Sequence, residues 1–425
     1  MGSMRDKFGR PVVVVTGMGI ATSLGAGKEE NWAKLCAGQS GIRTITRFPT
    51  DGLKTTMAGT VDFLPVEPFT STDLSERLAD VAVEEAVAQA AIGYGRGFPG
   101  ALFLAVAPVE LEWPQRQELA RAVGAHEVDY DALLRVSGGG RFKHYHHRFQ
   151  FRSIADFLAE KYGTMGSPIS VSTACASGAT AIQLGVEAIR RGDTDAALCA
   201  ATDGSVNLEA LVRFSLLSAL STRNEAPEAA VRPFAKNRDG FVMAEGAGAL
   251  VLESYEAAVS RGAKVLGVVA GCGEGNDTFH RTRSSPDGKP IIRCIEKTLA
   301  DAGMTADQID CINAHGTGTP ENDKMEYLSL AAVFGSRVGQ IPASSNKSMI
   351  GHTLSAAGAV EAIFSLLTLE HQRIPPTINY EMPDPAIPLD VVPDGARDVR
   401  VTAVMSNSFG FGGQNASLIL IRETV

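Results

Sequence analysis

The sequence predicts an α/β fold, and three features carry that reading. Short β-rich runs alternate with helical patterns along the whole chain. The strand candidates read as near-continuous apolar runs, as in sheets covered on both faces. Glycine is plentiful at 44 residues while aromatics make up only 6%, a balance that favours tight backbone packing and many strand–helix turns.

In chain order, the first strand is expected over Val12–Val15. It follows Arg5, Lys7 and Arg10 and superficially resembles a secretory leader, but the apolar run is too short and Thr16-Gly17-Met18-Gly19 interrupts it. A buried strand followed by a glycine turn is the expectation. Met1-Gly2-Ser3 reads as a cloning scar ahead of a native start at Met4. A helix follows over Leu74–Ala91 and a strand over Ala101–Val106. Ser137–Arg152 differs in composition, being basic and His-rich with interleaved aromatics. It is expected to be a solvated loop or a surface that meets a partner. His144, His146 and His147 have no Cys partner and no i, i+4 His pair, so no metal is assigned there. Next come a helix over Ser153–Tyr162, a strand over Ile169–Ser172 and a helix over Ser177–Arg191. In that helix Ile182, Val186 and Ile189 share one face, and Arg190, Arg191 and Gly192 close the C-terminus. Strands Ala196–Ala200 and Ala247–Leu252 and the helix Ser254–Arg261 follow. The remainder holds strands Val265–Ala270, Ile309–Asn313, Thr402–Ser406 and Ser417–Ile421, with helices Pro290–Ala302, Asp323–Phe334 and Ser355–Glu370. A coarse repeat is visible: two halves divided near Ser254, each with strands, a glycine turn and long helices.

A chain of 425 residues suggests two or three domain-sized units or one large two-part fold, with a core that needs no staples. Hydrophobic residues at 44% and charged residues at 20% exclude a disordered chain and a coiled coil. Lys plus Arg is 39 and Asp plus Glu is 48, giving a net charge of −9. Such a chain is a poor binder of nucleic acid or an anionic membrane by net field, though a local basic patch can still dock an acidic partner. Cys36, Cys175, Cys199, Cys272, Cys294 and Cys311 form no CxxC pair, which points to free thiols in a reducing compartment. Cys199, Cys272 and Cys311 read as core thiols. The stretch 163–186 is too polar for a membrane span. A soluble, cytoplasmic protein is expected.

Four constellations carry chemistry. In Ile169-Ser-Val-Ser-Thr-Ala-Cys175-Ala-Ser-Gly178 a strand ends, small residues turn the chain and a helix begins. The unpaired N–H groups of that helix start favour a thiolate at Cys175. In Cys311-Ile-Asn-Ala-His315-Gly-Thr317-Gly-Thr319-Pro320 a strand ends in a histidine followed by glycines and hydroxyls. Ser344-Ser-Asn-Lys347-Ser-Met-Ile-Gly-His352 leads into a helix that contains Glu361. Ser406-Asn-Ser-Phe-Gly-Phe411-Gly-Gly-Gln-Asn415 sets Phe411 between glycines, which permits close backbone approach with amides facing a pocket; it also reads as a plain hairpin turn. Cys with His suits covalent thiol catalysis when the groups meet in space.

Together, Thr-Ala-Cys-Ala-Ser-Gly, His-Gly-Thr-Gly-Thr, Asn-Lys-Ser-x-x-Gly-His and Asn-Ser-Phe-Gly-Phe-Gly-Gly resemble the β-ketoacyl-acyl carrier protein synthases of the elongating type I/II class. The resemblance covers nearly the whole chain. It implies a thiolase-like fold, two similar α/β halves (residues 4–253 and 254–425) stacked as α-β-α-β-α, a homodimer, an acyl carrier protein as partner and no cofactor. It implies that Cys175 accepts a fatty acyl group and that His315 and His352 stabilise the enolate of a decarboxylating malonyl unit. Lys347 then supplies fixed charge with Glu361 as partner. The amides of Cys175 and Phe411 form an oxyanion hole, Phe411 gates the acyl pocket, and Thr317 and Thr319 bind pantetheine. A monovalent cation near Glu361 and Asn407 also fits the family pattern.

The chain departs from that pattern at Ala105–Trp113, at 137–152, at Arg232-Pro-Phe-Ala235 and in the helix start Thr70–Arg77, which is poor in Lys and Arg. These departures suggest a specialised synthase with an unusual acyl chain or a dedicated carrier, its basic contacts supplied partly by Arg141, Lys143, Arg148 and Arg152. A polyketide-type ketosynthase and a non-catalytic chain-length-factor-like subunit are the alternatives. The latter lacks a nucleophile, whereas this chain has Cys175. A thiolase is disfavoured because Gly410–Gly413 holds no cysteine, and a starter-type synthase because of His352.

Overall fold

The computed structural model describes residues 4–93, 97–124 and 129–423, so the three residues read as a cloning scar lie outside it. Ten strands form two runs of five. The first holds β1 (Val13–Thr22), β2 (Ala101–Val106), β3 (Ile169–Val171), β4 (Ala196–Asp203) and β5 (Gly246–Ser254). The second holds β6 (Gly267–Asn276), β7 (Cys311–Asn313), β8 (Ala343–Ser344), β9 (Ala403–Phe409) and β10 (Gln414–Ile421). Their spatial orders are β1-β5-β4-β2-β3 and β6-β10-β9-β7-β8. Each run thus reads first, fifth, fourth, second, third. In each, the first two pairings are antiparallel and the last two parallel. This shared order is the structural content of the coarse repeat. The runs meet where β1 pairs β6 at Val14–Val268 and Val15–Gly267, which makes one hydrogen-bonded sheet of 11 strands, the short Gly25–Ala26 included.

Six helices matter for the site: α1 (Ser71–Ala90), α2 (Ser153–Tyr162), α3 (Ser177–Arg191), α4 (Lys289–Ala302), α5 (Pro320–Phe334) and α6 (Ala357–His371). α1 and α2 cover the outer face of the first run, α4 and α5 the outer side of the second, and α3 and α6 lie between the two. The result is the expected five-layer α-β-α-β-α arrangement. The middle layer is fully buried along α6, from Ala357 to Leu369, as a mostly apolar helix between two sheets must be. It touches α3 backbone to backbone. A Cβ on Gly178 would fall 2.5 Å from the Ala359 nitrogen, and one on Gly358 2.4 Å from that of Ala179.

The same close approach corrects the expectation of a glycine turn after Val15. β1 continues to Thr22, and Gly17 and Gly19 are strand residues beneath α1. A Cβ at either would lie 2.0 Å from the Ala86 carbonyl oxygen or 2.1 Å from that of Ala82. β6 repeats the device in the second half, where Gly271 and Gly273 face the carbonyls of Thr298 and Cys294 on α4 at 2.5 and 2.6 Å. Glycine here answers a tertiary demand, the seating of a helix on a strand, which no local reading contains.

α1 begins earlier than expected because the Thr70 hydroxyl caps it, accepting the Asp73 amide at 3.0 Å. The 137–152 segment is also different. Part of it is helical, in Tyr130–Gly138 and Lys143–Arg148, with turns at 139–142 and 149–152 between and after them. Arg148 pairs with Asp73 and, at 2.5 Å, Glu76 of α1, so it ties this segment down. Arg152 pairs with Asp156 and Arg141 with Glu118. Cys199, Cys272 and Cys311 are buried in the core. No helix among the described residues is long and apolar enough to cross a membrane.

Candidate active site

β3 delivers the chain to Cys175, two residues before α3 starts. The turn holds Ala174 at φ +49°, in the left-handed region that costs a non-glycine residue about 1–2 kcal/mol. Ser177 secures it: its hydroxyl accepts the Thr173 amide at 2.8 Å and donates to the Ala174 carbonyl at 2.6 Å. Strain held this way is characteristic of a functional turn. Gly410, at the hairpin between β9 and β10, packs on the same turn, where a Cβ would come within 3.2 Å of the Cys175 nitrogen. That approach brings the Phe411 amide near the Cys175 sulfur, where it favours the thiolate.

His352 follows the short helix Lys347–Ile350, and its Nε2 lies 3.1 Å from Cys175 Sγ. Its Nδ1 accepts the Leu354 amide at 3.2 Å, so the neutral ring carries its proton on Nε2. His315 ends the β7 loop. Its Nδ1 lies 3.4 Å from Lys347 Nζ, which as an ammonium can only donate. The proton of His315 therefore also sits on Nε2. The two rings meet edge to face with centroids 5.3 Å apart. Burial, reinforced by the Lys347 charge, holds both histidines well below the usual imidazole range, so both are neutral. The Cys175 sulfur and one ring nitrogen from each histidine all lie within 4.8 Å of one another. Residues 140 and 177 positions away in sequence are thereby brought to one sulfur.

Lys347 and Glu361 form a fully buried ion pair. Burial pushes the Glu361 carboxyl upward while Lys347 pulls it back. Glu361 Oε2 is buried with no donor, an oxygen suited to the implied cation, whereas Asn407 Oδ1 already accepts the Ser417 hydroxyl at 2.8 Å. Thr317 and Thr319 place their hydroxyls 2.9 Å apart. Thr319 also caps α5, accepting the Asn322 amide at 3.2 Å.

Burial works against the expected thiolate. Burial pushes the Cys175 thiol up to about 11, against the opposing pull of the Phe411 amide and Lys347. Cys175 is only 8% exposed, so desolvation opposes the pull of a helix that begins two residues later.

Two cavities meet at Cys175. One, of about 240 Å³, is lined by His315, His352, Thr317, Thr319 and the 280–284 segment. The other, of about 460 Å³, is lined by the divergent stretch 106–112 and the start of α1. Phe411, Phe214, Leu217 and Leu354 line both, so they form the partition.

Sequence reasoning missed the carboxylates that hold the histidine loop. Glu326 accepts the amides of His315 and Gly316, each at 2.8 Å. Asp323 accepts those of Phe234 at 2.7 Å and Gly318 at 3.2 Å. Burial pushes Glu326 up to about 7. The signal was available: two carboxylates three apart near the start of the helix that follows His-Gly-Thr-Gly-Thr face back toward that loop.

The comparisons with known proteins agree with this geometry. The β-ketoacyl synthase N-terminal domain matches residues 10–258, and the C-terminal domain residues 266–381. The chain is 37% identical to 3-oxoacyl-[acyl-carrier-protein] synthase 2 of Coxiella burnetii, covering 96% of this chain and 98% of that protein. It is 35% identical to the tetracenomycin polyketide synthase ketoacyl synthase alpha subunit of Streptomyces glaucescens, covering 96% and 97%. Among solved structures, a type II polyketide ketosynthase in complex with its acyl-carrier protein matches with a TM-score of 0.87 at 32% identity, covering 97% of this chain and 100% of that one. The two family models together span residues 10–381 and the relatives align over nearly the whole chain, so the chain belongs to the β-ketoacyl synthase family of condensing enzymes.

Proposed function

We propose that the chain carries out a decarboxylative Claisen condensation of malonyl-acyl carrier protein with an acyl group held on Cys175. The product is a β-ketoacyl chain longer by one two-carbon unit. The observation that carries this reading is the meeting of Cys175 Sγ with two imidazoles that both present Nε2–H.

In the first half-reaction the Cys175 sulfur attacks the acyl thioester of a carrier. The carbon–sulfur bond to pantetheine breaks, and the Cys175 proton ends on the departing pantetheine sulfur. The amides of Cys175 and Phe411 bind the oxyanion formed between these events. The acyl chain passes Phe411 into the larger cavity beside 106–112. In the second half-reaction the malonyl thioester loses carbon dioxide. The electron pair of the broken carbon–carbon bond moves onto the thioester oxygen, where His315 and His352 donate hydrogen bonds. Neutral donors suit this work because no proton has to be removed. The enolate carbon then attacks the acyl carbonyl, the tetrahedral adduct collapses, and Cys175 leaves as a thiolate that takes up a proton. Lys347, neutralised by Glu361, fixes the His315 tautomer. Thr317 and Thr319 line the entrance cavity where a pantetheine arm would need donors and acceptors for its amides.

We assign the two halves as residues 4–253 and 254–425. A homodimer is supported by the open edge of β3, flanked by exposed Ile169 and Met165. A cytoplasmic site of action follows from the free thiols and the carrier-bound substrates. The similarity to the Streptomyces glaucescens polyketide subunit favours a second reading of the acyl group as a growing polyketide.

Incubation with acyl-carrier donors of graded length, followed by mass spectrometry, is expected to place one preferred acyl group on Cys175, and malonyl-carrier is then expected to release carbon dioxide. No adduct with any donor would overturn the reading.

A further inference from the structure

Carrier recognition needs cations, and in the basic segment expected to supply them Arg148 is tied to Asp73 and Glu76, while Arg152 and Arg141 make exposed pairs with Asp156 and Glu118 and Lys143 stands exposed. Different cations stand at the mouth of the entrance cavity. Arg281 and Arg283 line the cavity whose inner wall holds Cys175, His315 and His352, and both are exposed. No ion pair joins either guanidinium to another described residue. Three carboxylates share the lining with them. Asp277 accepts the Phe279 amide at 2.9 Å and the Ser285 amide at 2.7 Å, and Asp239 lies 3.5 Å from Arg223, which leaves Glu321 as the other carboxylate on the rim.

The segment that carries the arginines is braced. The Arg281 carbonyl accepts the Gly412 amide at 2.7 Å, and the Asp277 amide donates to the Gly413 carbonyl at 2.8 Å. His280 Nδ1 accepts the Thr282 amide at 3.1 Å. The arginines are thus seated on the same glycine hairpin that presents the Phe411 amide to Cys175. Two guanidinium groups carried on a braced backbone beside the cavity can bind an oxyanion with paired, charge-assisted hydrogen bonds that a lysine ammonium cannot match.

We propose that Arg281 and Arg283 bind the phosphodiester that joins a carrier protein to its pantetheine arm. They hold it at the cavity mouth so that the arm spans Thr319 and Thr317 to Cys175. This rests on the condensing reading above and adds to it the group by which the carrier's arm is measured.

The test compares Cys175 acylation from two small donors with the same acyl group, acyl-pantetheine and acyl-4′-phosphopantetheine, read by mass spectrometry of the adduct. In the wild type, the phosphorylated donor is expected to reach half-saturation at a concentration at least about tenfold lower. That advantage should shrink as salt is raised. In the Arg281→Ala/Arg283→Ala variant the ratio between the two donors is expected to fall close to one. Equal half-saturation in the wild type, or an undiminished ratio in the variant, overturns the assignment. Failure of both donors and of acyl-carrier protein to acylate Cys175 would instead remove the condensing reading on which it stands.

Discussion

The tautomers of the two histidines make a sharp prediction for His315→Ala. His315 Nε2–H is fixed by Lys347 at Nδ1 and faces the space beside Cys175, yet the 3.1 Å contact to the sulfur itself comes from His352. Removing His315 therefore deletes one enolate donor and leaves the nucleophile's own hydrogen bond intact. Loss of one such preorganised donor is worth about 2.7–4 kcal/mol of transition-state stabilisation, or roughly 10²–10³ in rate. Malonyl decarboxylation, followed as released carbon dioxide, should fall by that factor. Acyl loading of Cys175, followed by mass spectrometry, should change by less than about threefold. His352→Ala should slow both steps, because that ring serves the sulfur as well. The pH profile is part of the same argument. Both imidazoles are held well below their usual range by burial and by Lys347, so no loss from their protonation is expected between about pH 6 and 8. Decarboxylation that survives His315→Ala, or loading that fails with it, would refute the division of labour.

Three further outcomes follow from the geometry. Lys347→Met leaves Glu361 buried without its cation and should cost about 3–5 kcal/mol in urea unfolding, with Lys347→Met/Glu361→Leu recovering much of it; equal losses would show that the pair is not coupled. Because burial pushes the Cys175 thiol up to about 11, alkylation by iodoacetamide should rise about tenfold per pH unit from roughly pH 7 to 9; a plateau near pH 8 would mean that the thiolate is already present. Gly19→Val would put a side chain 2.1 Å from the Ala82 carbonyl oxygen and should lose about 1–3 kcal/mol or more. Gly192→Ala, at φ +76° with open space around it, should lose only about 1–2 kcal/mol, and equal Tm shifts for the two would count against close strand–helix seating.

The parts of this molecule written in local chemistry were readable from the sequence. The end of β3, the small-residue turn and the amphipathic start of α3 locate Cys175, and each histidine sits where an apolar run gives way to glycine. The parts that depend on what packs opposite were not. Gly17 and Gly19 look like a turn until α1 is laid across them. Cys175 looks activated by its helix until the desolvating walls of two cavities are added. Arg141, Arg148 and Arg152 look free until the carboxylates of α1 and its neighbours come near them. Glu326 and Asp323 were passed over although their spacing near the start of α5 was a signal, because acids on a helix face read first as a solvated surface.

The identical strand order of the two halves carries a consequence for how this catalyst divides its labour. The segment leaving the second strand bears His315 in one half, and its counterpart in the other is the 107–112 stretch that walls the larger cavity. The segment leaving the third strand bears Lys347 and His352 in one half and Cys175 in the other. A doubled ancestor would thus have kept three of its four equivalent seats for bond-making and released the remaining one. Freed from chemistry, that seat can be rewritten to measure a new guest without disturbing the reaction, and it is there that this chain has changed its lettering.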